Sequence, residues 1–269
     1  MYPLFRKRPN KGVTIIKITR YKHTSPYSYT LGMTLTIELL KLKPQFVECV
    51  FFHEKVKENE NLLYLRELCK AHHIPIIVGE RAFNILSIKE NCYVIGMFKK
   101  FESRVESGRH IVLVNPSDAG NLGTIIRTSV GFDLKDIVLI RPAVDIFDPK
   151  TVRASMGALF HINYQYYDCY EKYEQDFPKN NPYPFMLTAS SSIQDVAFHE
   201  PYSLIFGNEA TGLPDSFAML KGGQPVVISH SKSIDSLNLT IAAGIAMYSA
   251  TRKPASGKSG ESLKHPDNL

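Results

Sequence analysis

Two short apolar runs, each emptying into a polar turn, constrain this chain most. Leu204-Ile205-Phe206 stops at the glycine-bounded turn Gly207-Asn208-Glu209-Ala210-Thr211-Gly212, and Val226-Val227-Ile228 stops at the polar loop Ser229 to Asp235. Strands buried on both faces read as short apolar runs, and in open parallel sheets ligands sit beyond the carboxyl ends of the strands. The two strand ends are therefore expected side by side, as the floor of a small-molecule site. After the loop come Ser236-Leu237-Asn238 and the apolar, small-residue run Thr240 to Ala250, which reads as the last helix.

Taken singly, these pieces have plain structural explanations. Gly and Asn supply turn dihedrals without any ligand, and Ser or Asn before a helix is a good N-cap. A third element lies upstream. Val112-Leu113-Val114 reads as a strand, Asn115 to Gly120 as a loop, Asn121 to Gly131 as a helix and Asp136 to Ile140 as the next strand, a compact βαβ unit. Asn121 and Arg127 bracket the first turns of its helix, so both can face one pocket at the strand ends.

With the three elements in view, the chain resembles the SpoU (TrmH-type) family of RNA ribose 2′-O-methyltransferases of the SPOUT superfamily. The first family motif is matched by Asn121-Leu122-Gly123-Thr124-Ile125-Ile126-Arg127-Thr128, the second by Phe206-Gly207-Asn208-Glu209-Ala210-Thr211-Gly212-Leu213, and the third by Ser236-Leu237-Asn238-Leu239-Thr240-Ile241-Ala242. Arg153-Ala154-Ser155-Met156-Gly157-Ala158 is similar to the small-residue segment between motifs one and two. The resemblance covers the C-terminal part of the chain. It departs at Ser229-His230-Ser231-Lys232-Ser233-Ile234-Asp235, where the family has a Pro-Met-like pair and a glycine.

The resemblance implies an α/β fold: a C-terminal SPOUT-type parallel sheet with a trefoil knot, preceded by a small α/β domain of L30e-like, RNA-binding type. It also implies a homodimer with the pocket near the interface. Its cofactor is S-adenosylmethionine, and its site residues fall here on Asn121, Arg127, Glu209, Ser236 and Asn238 around the reacting centre. Gly207, Ile228 and Leu237 fall where the cofactor is contacted. Arginine is a poor proton acceptor, with a pKa above about 12. Arg127 therefore reads as a clamp on the target phosphate and hydroxyl, and Glu209 as a group that orders Asn121 and the turn.

The rest of the chain is read in order. Residues 1–12 form a basic segment with Arg6-Lys7-Arg8 and Lys11; 13–98 form the first, substrate-binding domain; 99–108 a linker; 109–252 the methyltransferase domain; and 253–269 a disordered tail. Within 13–98 the pattern predicts strands over 13–18, 46–52, 74–78 and 93–98 and helices over 31–42 and 62–71, an alternating α/β layer. A net charge of +6 and a pI near 9.0 suit a polyanionic partner. The expected partner is RNA, ribosomal ahead of transfer RNA, and the expected task is rRNA processing.

The four cysteines, Cys49, Cys69, Cys92 and Cys169, show no zinc-ligand spacing and read as reduced thiols of a cytoplasmic protein. No metal is expected. No apolar run approaches the roughly 20 residues of a membrane span, and no signal-peptide core is present at the N-terminus. His72-His73 falls at a helix end, and His230 in the loop before motif three. Two rivals remain. One is a non-catalytic RNA-binding protein that retains the methyltransferase fold. The other is a nucleotide-binding α/β enzyme such as a dehydrogenase, against which the lack of a Gly-x-Gly-x-x-Gly run counts.

Overall fold

A computed structural model describes residues 18–86 and 91–252. The basic segment 1–12, nearly all of the strand candidate over 13–18 and the tail 253–269 lie outside the described residues. The chain divides into two compact units. One takes residues up to Phe101 together with Phe147–Phe160; the other takes Glu102–Ile146 and the residues from His161 onward.

In chain order the elements are β1 (Tyr27–Leu31), α1 (Met33–Leu42), β2 (Val47–Phe52), α2 (Glu60–Ala71), β3 (Ile76–Val78), α3 (Arg81–Leu86) and β4 (Val94–Lys99). Then follow β5 (Arg109–Val114), α4 (Ala119–Gly131), β6 (Asp136–Ile140), α5 (Pro149–Ala154), β7 (Asn163–Tyr167), α6 (Tyr170–Asp176) and β8 (Asn181–Pro184). The chain ends with β9 (Ser191–Ser192), β10 (Tyr202–Phe206), β11 (Val226–Val227) and α7 (Leu239–Thr251).

The first unit holds a mixed sheet of order β1-β4-β2-β3, in which β4 runs antiparallel to both β1 and β2. Helix α2 forms as its sequence dictates. Asn59 caps it, its side chain accepting from the Leu62 amide at 2.9 Å, and Leu62, Leu65 and Cys69 bury one face. Strand β1 is not apparent in the sequence pattern because Ser28 and Thr30 alternate with its tyrosines. Both polar side chains are buried and satisfied: Ser28 donates to the Phe147 carbonyl, and Thr30 pairs with Thr36 at 2.8 Å and accepts from the Gly96 amide at 3.0 Å. Phe147 and Phe160, remote in sequence, set their rings edge-on to Phe98 at 5.9 and 5.6 Å. Burial pushes the Cys49 thiol up to about 12 and that of Cys69 up to about 11, so neither is a nucleophile at neutral pH.

The second unit carries an all-parallel five-stranded sheet, β7-β6-β5-β10-β8. From β5 the chain moves outward to β6 and β7, then returns on the other flank through β8 and β10. The strand order reverses between β5 and β10, the place where an open parallel sheet leaves a crevice at its carboxyl ends. One face is packed by Val112, Val114, Val138, Ile140, Tyr167 and Ile205 against Tyr170, Tyr173 and Phe217.

One expectation is corrected here. The run at 226–228 does not lie beside β10. Strand β8 pairs with β10, its next residue Phe185 bridges to Val226, and β11 pairs with β9 in a separate two-stranded ribbon. Asn181-Pro182-Tyr183-Pro184 does not read as a strand because proline cannot donate to a ladder; it is tolerated here because β8 is an edge.

At the amino ends of β5 and β10 a buried polar network closes the sheet. His110 Nε2 faces the Glu106 carbonyl and so carries the proton, which leaves Nδ1 to accept from the Tyr173 hydroxyl at 2.8 Å. Tyr173 in turn accepts from Ser203, and Asn180 donates to Gly108 and Ser203, both at 3.1 Å. Burial lowers the His110 pKa, against the pull of the Glu106 carbonyl and of Asp136.

A depressed imidazole pKa adds stability above the unfolded value of about 6.5, and that stability is lost as pH falls through the folded value. The melting temperature is therefore expected to drop more between about pH 7 and about pH 5 in the wild type than in His110→Gln. An equal drop in the two proteins across that range, measured by calorimetry, would contradict a His110 held neutral by burial.

Candidate functional site

The site is assembled by three chain segments at the carboxyl ends of β5 and β10. After β5, Asn115 takes a left-handed φ of 53°, which Asn tolerates better than most residues. Asp118 then caps α4, accepting from the Asn121 amide at 2.7 Å. The helix thus opens two residues earlier than the sequence pattern suggests, and Asn121 is not its cap. Its side chain is free for another partner, and that partner is Glu209, 3.3 Å away.

Glu209 binds the two loops together. One carboxylate oxygen accepts from the Ser117 amide at 3.1 Å and hydroxyl at 2.8 Å; the other accepts from the Asp118 amide at 3.2 Å and from Asn121. Partial burial on its own would raise this carboxyl. Hydrogen bonds from its own amide, from the Ser117 hydroxyl and from the Ser117 and Asp118 amides outweigh burial and hold the pKa below its ordinary value. An acid held ionised by four donors is a tether and a weak base.

The turn after β10 is closed just as tightly. Asn208 donates to the Asn115 carbonyl at 2.8 Å, while its Oδ1 accepts from the Ala210 amide at 2.9 Å and the Thr211 amide at 3.3 Å. The Gly212 amide returns to the Asn208 carbonyl at 2.9 Å, with Gly212 at φ 68°. A Cβ at Gly207 would overlap the Gly212 carbonyl group and the Leu213 amide, so only glycine fits.

The third segment precedes α7. Asn238 is its cap, accepting from the amide of Thr240 at 2.9 Å and from its hydroxyl at 2.6 Å. Helices α4 and α7 pack together. Gly244 faces Thr128, and Tyr248 lies edge-on to Phe132 at 6.3 Å. Advancing four residues on one helix advances four on the other, so the helices run parallel. Their amino-terminal turns, with Asn121 and Asn238, share the end of the sheet where the Gly207 turn lies.

Of the residues singled out in the sequence, Asn121 and Glu209 touch directly, and Gly207 shapes the turn that carries Glu209. Arg127 is exposed on α4 and enters no ion pair among the described residues. Ile228 is half-buried, its carbonyl 3.0 Å from His230 Nδ1. Ser236 and Asn238 are exposed and Leu237 half-buried, and no hydrogen bond among the described residues links them to Glu209. Ser117 and Asn208 were not singled out, although both sit in polar turns after strands; their role needs a partner some ninety residues away in sequence.

Among the described residues no group of three or more His, Cys, Asp or Glu side chains is arranged to hold a metal, and no helix is long and apolar enough to cross a membrane. A cleft of about 540 Å³ lined by Gly108, Asn180 and Pro201 opens at the amino ends of β5 and β10, away from this cluster.

Comparison with known proteins falls on the same region. Residues 108–248, just over half of the chain, match the model of the SpoU rRNA Methylase family. The 23S rRNA (guanosine(2553)-2′-O)-methyltransferase RlmP of Bacillus subtilis is 30% identical over 154 residues, covering 55% of this chain and 60% of that protein. The uncharacterized tRNA/rRNA methyltransferase slr1673 of Synechocystis is 30% identical over 145 residues, 53% of each chain. The chain spans about half the length of two of the curated relatives that it matches, and less of another. Among solved structures, an AdoMet-bound rRNA methyltransferase from Sinorhizobium meliloti superposes with a TM-score of 0.71 at 25% identity, over 83% of this chain and 86% of that one.

Proposed function

The chain belongs to the SpoU rRNA Methylase family, and on that premise we propose that it transfers a methyl group from S-adenosylmethionine to a ribose 2′-hydroxyl of structured RNA. The observation that carries this reading is the Glu209 tether, which joins the motif-two turn to Ser117, Asp118 and Asn121 at the switch point of the sheet.

The residues present suit the cofactor. Gly207 keeps the turn free of any side chain at a point of main-chain contact, and the main chain at Gly207, Ile228 and Leu237 would meet the ligand. When bound, S-adenosylmethionine supplies an electrophilic methyl group on a sulfonium. Asn121 is oriented by Glu209 toward the reacting centre, and Ser236 and Asn238 border it from the start of α7. Arg127 holds the target phosphate and stabilises charge that develops on the 2′-oxygen, with the proton leaving to water or a neighbouring group. Holding the reactants in line contributes several kcal/mol of the catalysis, of the order known for well-oriented reactions.

The finer architecture belongs to this reading. The Gly207 turn and the Ser229 to Asp235 loop thread together as a trefoil knot to form the pocket, and residues 13–98 act as an L30e-like substrate-binding domain, joined through 99–108 to the methyltransferase domain. The enzyme works in the cytoplasm as a homodimer. Exposed Ile241 and Tyr248, on an α7 that is apolar nearly all round, support a partner subunit. Ribosomal RNA is the favoured substrate class, with transfer RNA second.

The test is to incubate the protein with S-adenosylmethionine and either deproteinised rRNA or bulk tRNA, digest to nucleosides and look for 2′-O-methylation by mass spectrometry. A new 2′-O-methylnucleoside is expected in one of the two pools. RNA binding with no transfer would favour the non-catalytic RNA-binding protein, and stabilisation by NAD instead of S-adenosylhomocysteine would favour a dehydrogenase.

A further inference from the structure

Arg141 is the first residue after β6, on the strand next to β5. Its loop is tied to the loop that carries the site: the Asn115 amide donates to the Ile140 carbonyl at 3.0 Å, and the Val144 amide to the Pro116 carbonyl at 2.9 Å. Arg141 therefore stands at the rim of the Asn121–Glu209 cluster, on the same end of the sheet.

Its side chain is built into place. The guanidinium carbon lies 4.7 Å from the centre of the Tyr166 ring. That ring is itself fixed, because its hydroxyl donates to the Val144 carbonyl at 3.1 Å and accepts from the Ile146 amide at 2.9 Å. Yet the arginine side chain remains 52% exposed. Among the described residues its ion pair is with Asp168, 3.7 Å away, which is already engaged by Lys172 at 2.9 Å. Two cations therefore share that carboxylate. By contrast Arg109 and Lys135, toward the other end of the sheet, are matched to Asp133 and Glu200.

An immobilised, half-exposed guanidinium that shares its carboxylate with a lysine suits a phosphate, because the stack fixes the plane of its donors and little side-chain freedom is left to lose on binding. Resting on the function proposed above, we propose that Arg141, held by Tyr166, contacts a phosphodiester of the substrate RNA beside the target nucleotide, distinct from the clamp at Arg127. Its part is substrate binding and no step of the chemistry passes through it.

The test compares wild type, Arg141→Ala and Arg141→Lys. S-adenosylhomocysteine affinity is measured by calorimetry, and binding of bulk tRNA and of deproteinised 23S rRNA is titrated across a series of KCl concentrations. In Arg141→Ala, RNA affinity is expected to fall about five- to tenfold, and the slope of log K against log[KCl] to shrink by about 0.7–0.9, the share of one phosphate. Cofactor affinity and melting temperature should stay at wild-type values, and KM for RNA should rise while kcat stays within about twofold.

Arg141→Lys keeps the charge without the planar stack, so it should restore the salt slope and part of the affinity. An unchanged slope and RNA affinity in Arg141→Ala, or an equal loss of cofactor binding, would overturn the assignment while leaving the proposed function standing. Failure of the wild type to bind either RNA or S-adenosylhomocysteine would overturn both.

Discussion

Arg127→Ala is expected to abolish measurable methyl transfer while S-adenosylhomocysteine binds with nearly wild-type affinity. The guanidinium is exposed on α4, pairs with no carboxylate among the described residues, and sits about one and two-thirds helical turns past Asn121. Its removal leaves no buried charge behind and no helix cap lost, so folding should be unaffected. On the proposed mechanism it removes charge stabilisation at the 2′-oxygen, and the loss of one such donor costs about 10²- to 10³-fold in kcat. Arg127→Lys keeps the charge but not the bidentate fork, and should recover only a small part of the rate. Single-turnover rates, set beside calorimetric titration with S-adenosylhomocysteine, separate the two effects. A parallel loss of rate and cofactor affinity would show that Arg127 belongs to the cofactor pocket instead.

Gly207→Ala should do the opposite, removing cofactor binding before it affects anything else. The added methyl would collide with main-chain atoms of Gly212 and Leu213, which cannot swing aside as the end of a flexible side chain would. The turn must open. Opening it pulls Asn208 from the Asn115 carbonyl and Glu209 from Ser117, Asp118 and Asn121. Overpacking of this kind costs about 1–3 kcal/mol, here in the turn proposed to present main chain to the ligand. S-adenosylhomocysteine affinity should fall by at least about tenfold, equivalent to about 1.4 kcal/mol, with a modest drop in melting temperature. An unchanged affinity would mean that the turn is not part of the pocket. The contrast between the two variants is informative in itself, since one loses rate with binding intact and the other loses binding.

The part of the fold that can be read from the sequence is the part built from local patterns. The βαβ unit from β5 through β6 follows from an apolar run, a polar loop and a helical stretch lying consecutively, and α2 follows from the spacing of Leu62, Leu65 and Cys69. What escapes the sequence depends on remote partners. Strand β1 buries Ser28 and Thr30 because Phe147, Thr36 and Gly96 satisfy them, and no window around 27–31 contains that information. Strand β8 carries two prolines, acceptable only because the topology leaves it at an edge. With β8 in place, Val226 can reach only the extension of β8, which is why the two apolar runs that looked like neighbours are not.

The same division holds at the site. Asn121 and Glu209 are marked out in the sequence because their segments resemble the first and second family motifs. Their contact depends on Asp118 taking over the helix cap, a choice between two good capping residues three positions apart that local propensity does not decide. Ser117, the residue that gives Glu209 both an amide and a hydroxyl, looks like an ordinary loop serine until the chain has folded. Asn238 serves as a plain helix cap through its oxygen, and among the described residues its amide group donates no hydrogen bond that would keep it from the task proposed for it.

The most direct measurement is a crystal structure of the full-length protein with S-adenosylhomocysteine bound. The ligand is expected against the main chain of Gly207, Ile228 and Leu237, with its sulfur directed toward the space bordered by Asn121, Arg127, Ser236 and Asn238. A ligand seated elsewhere, such as the cleft beneath Asn180 at the opposite end of the sheet, or one bound in place with those four side chains turned away from its sulfur, would contradict the account.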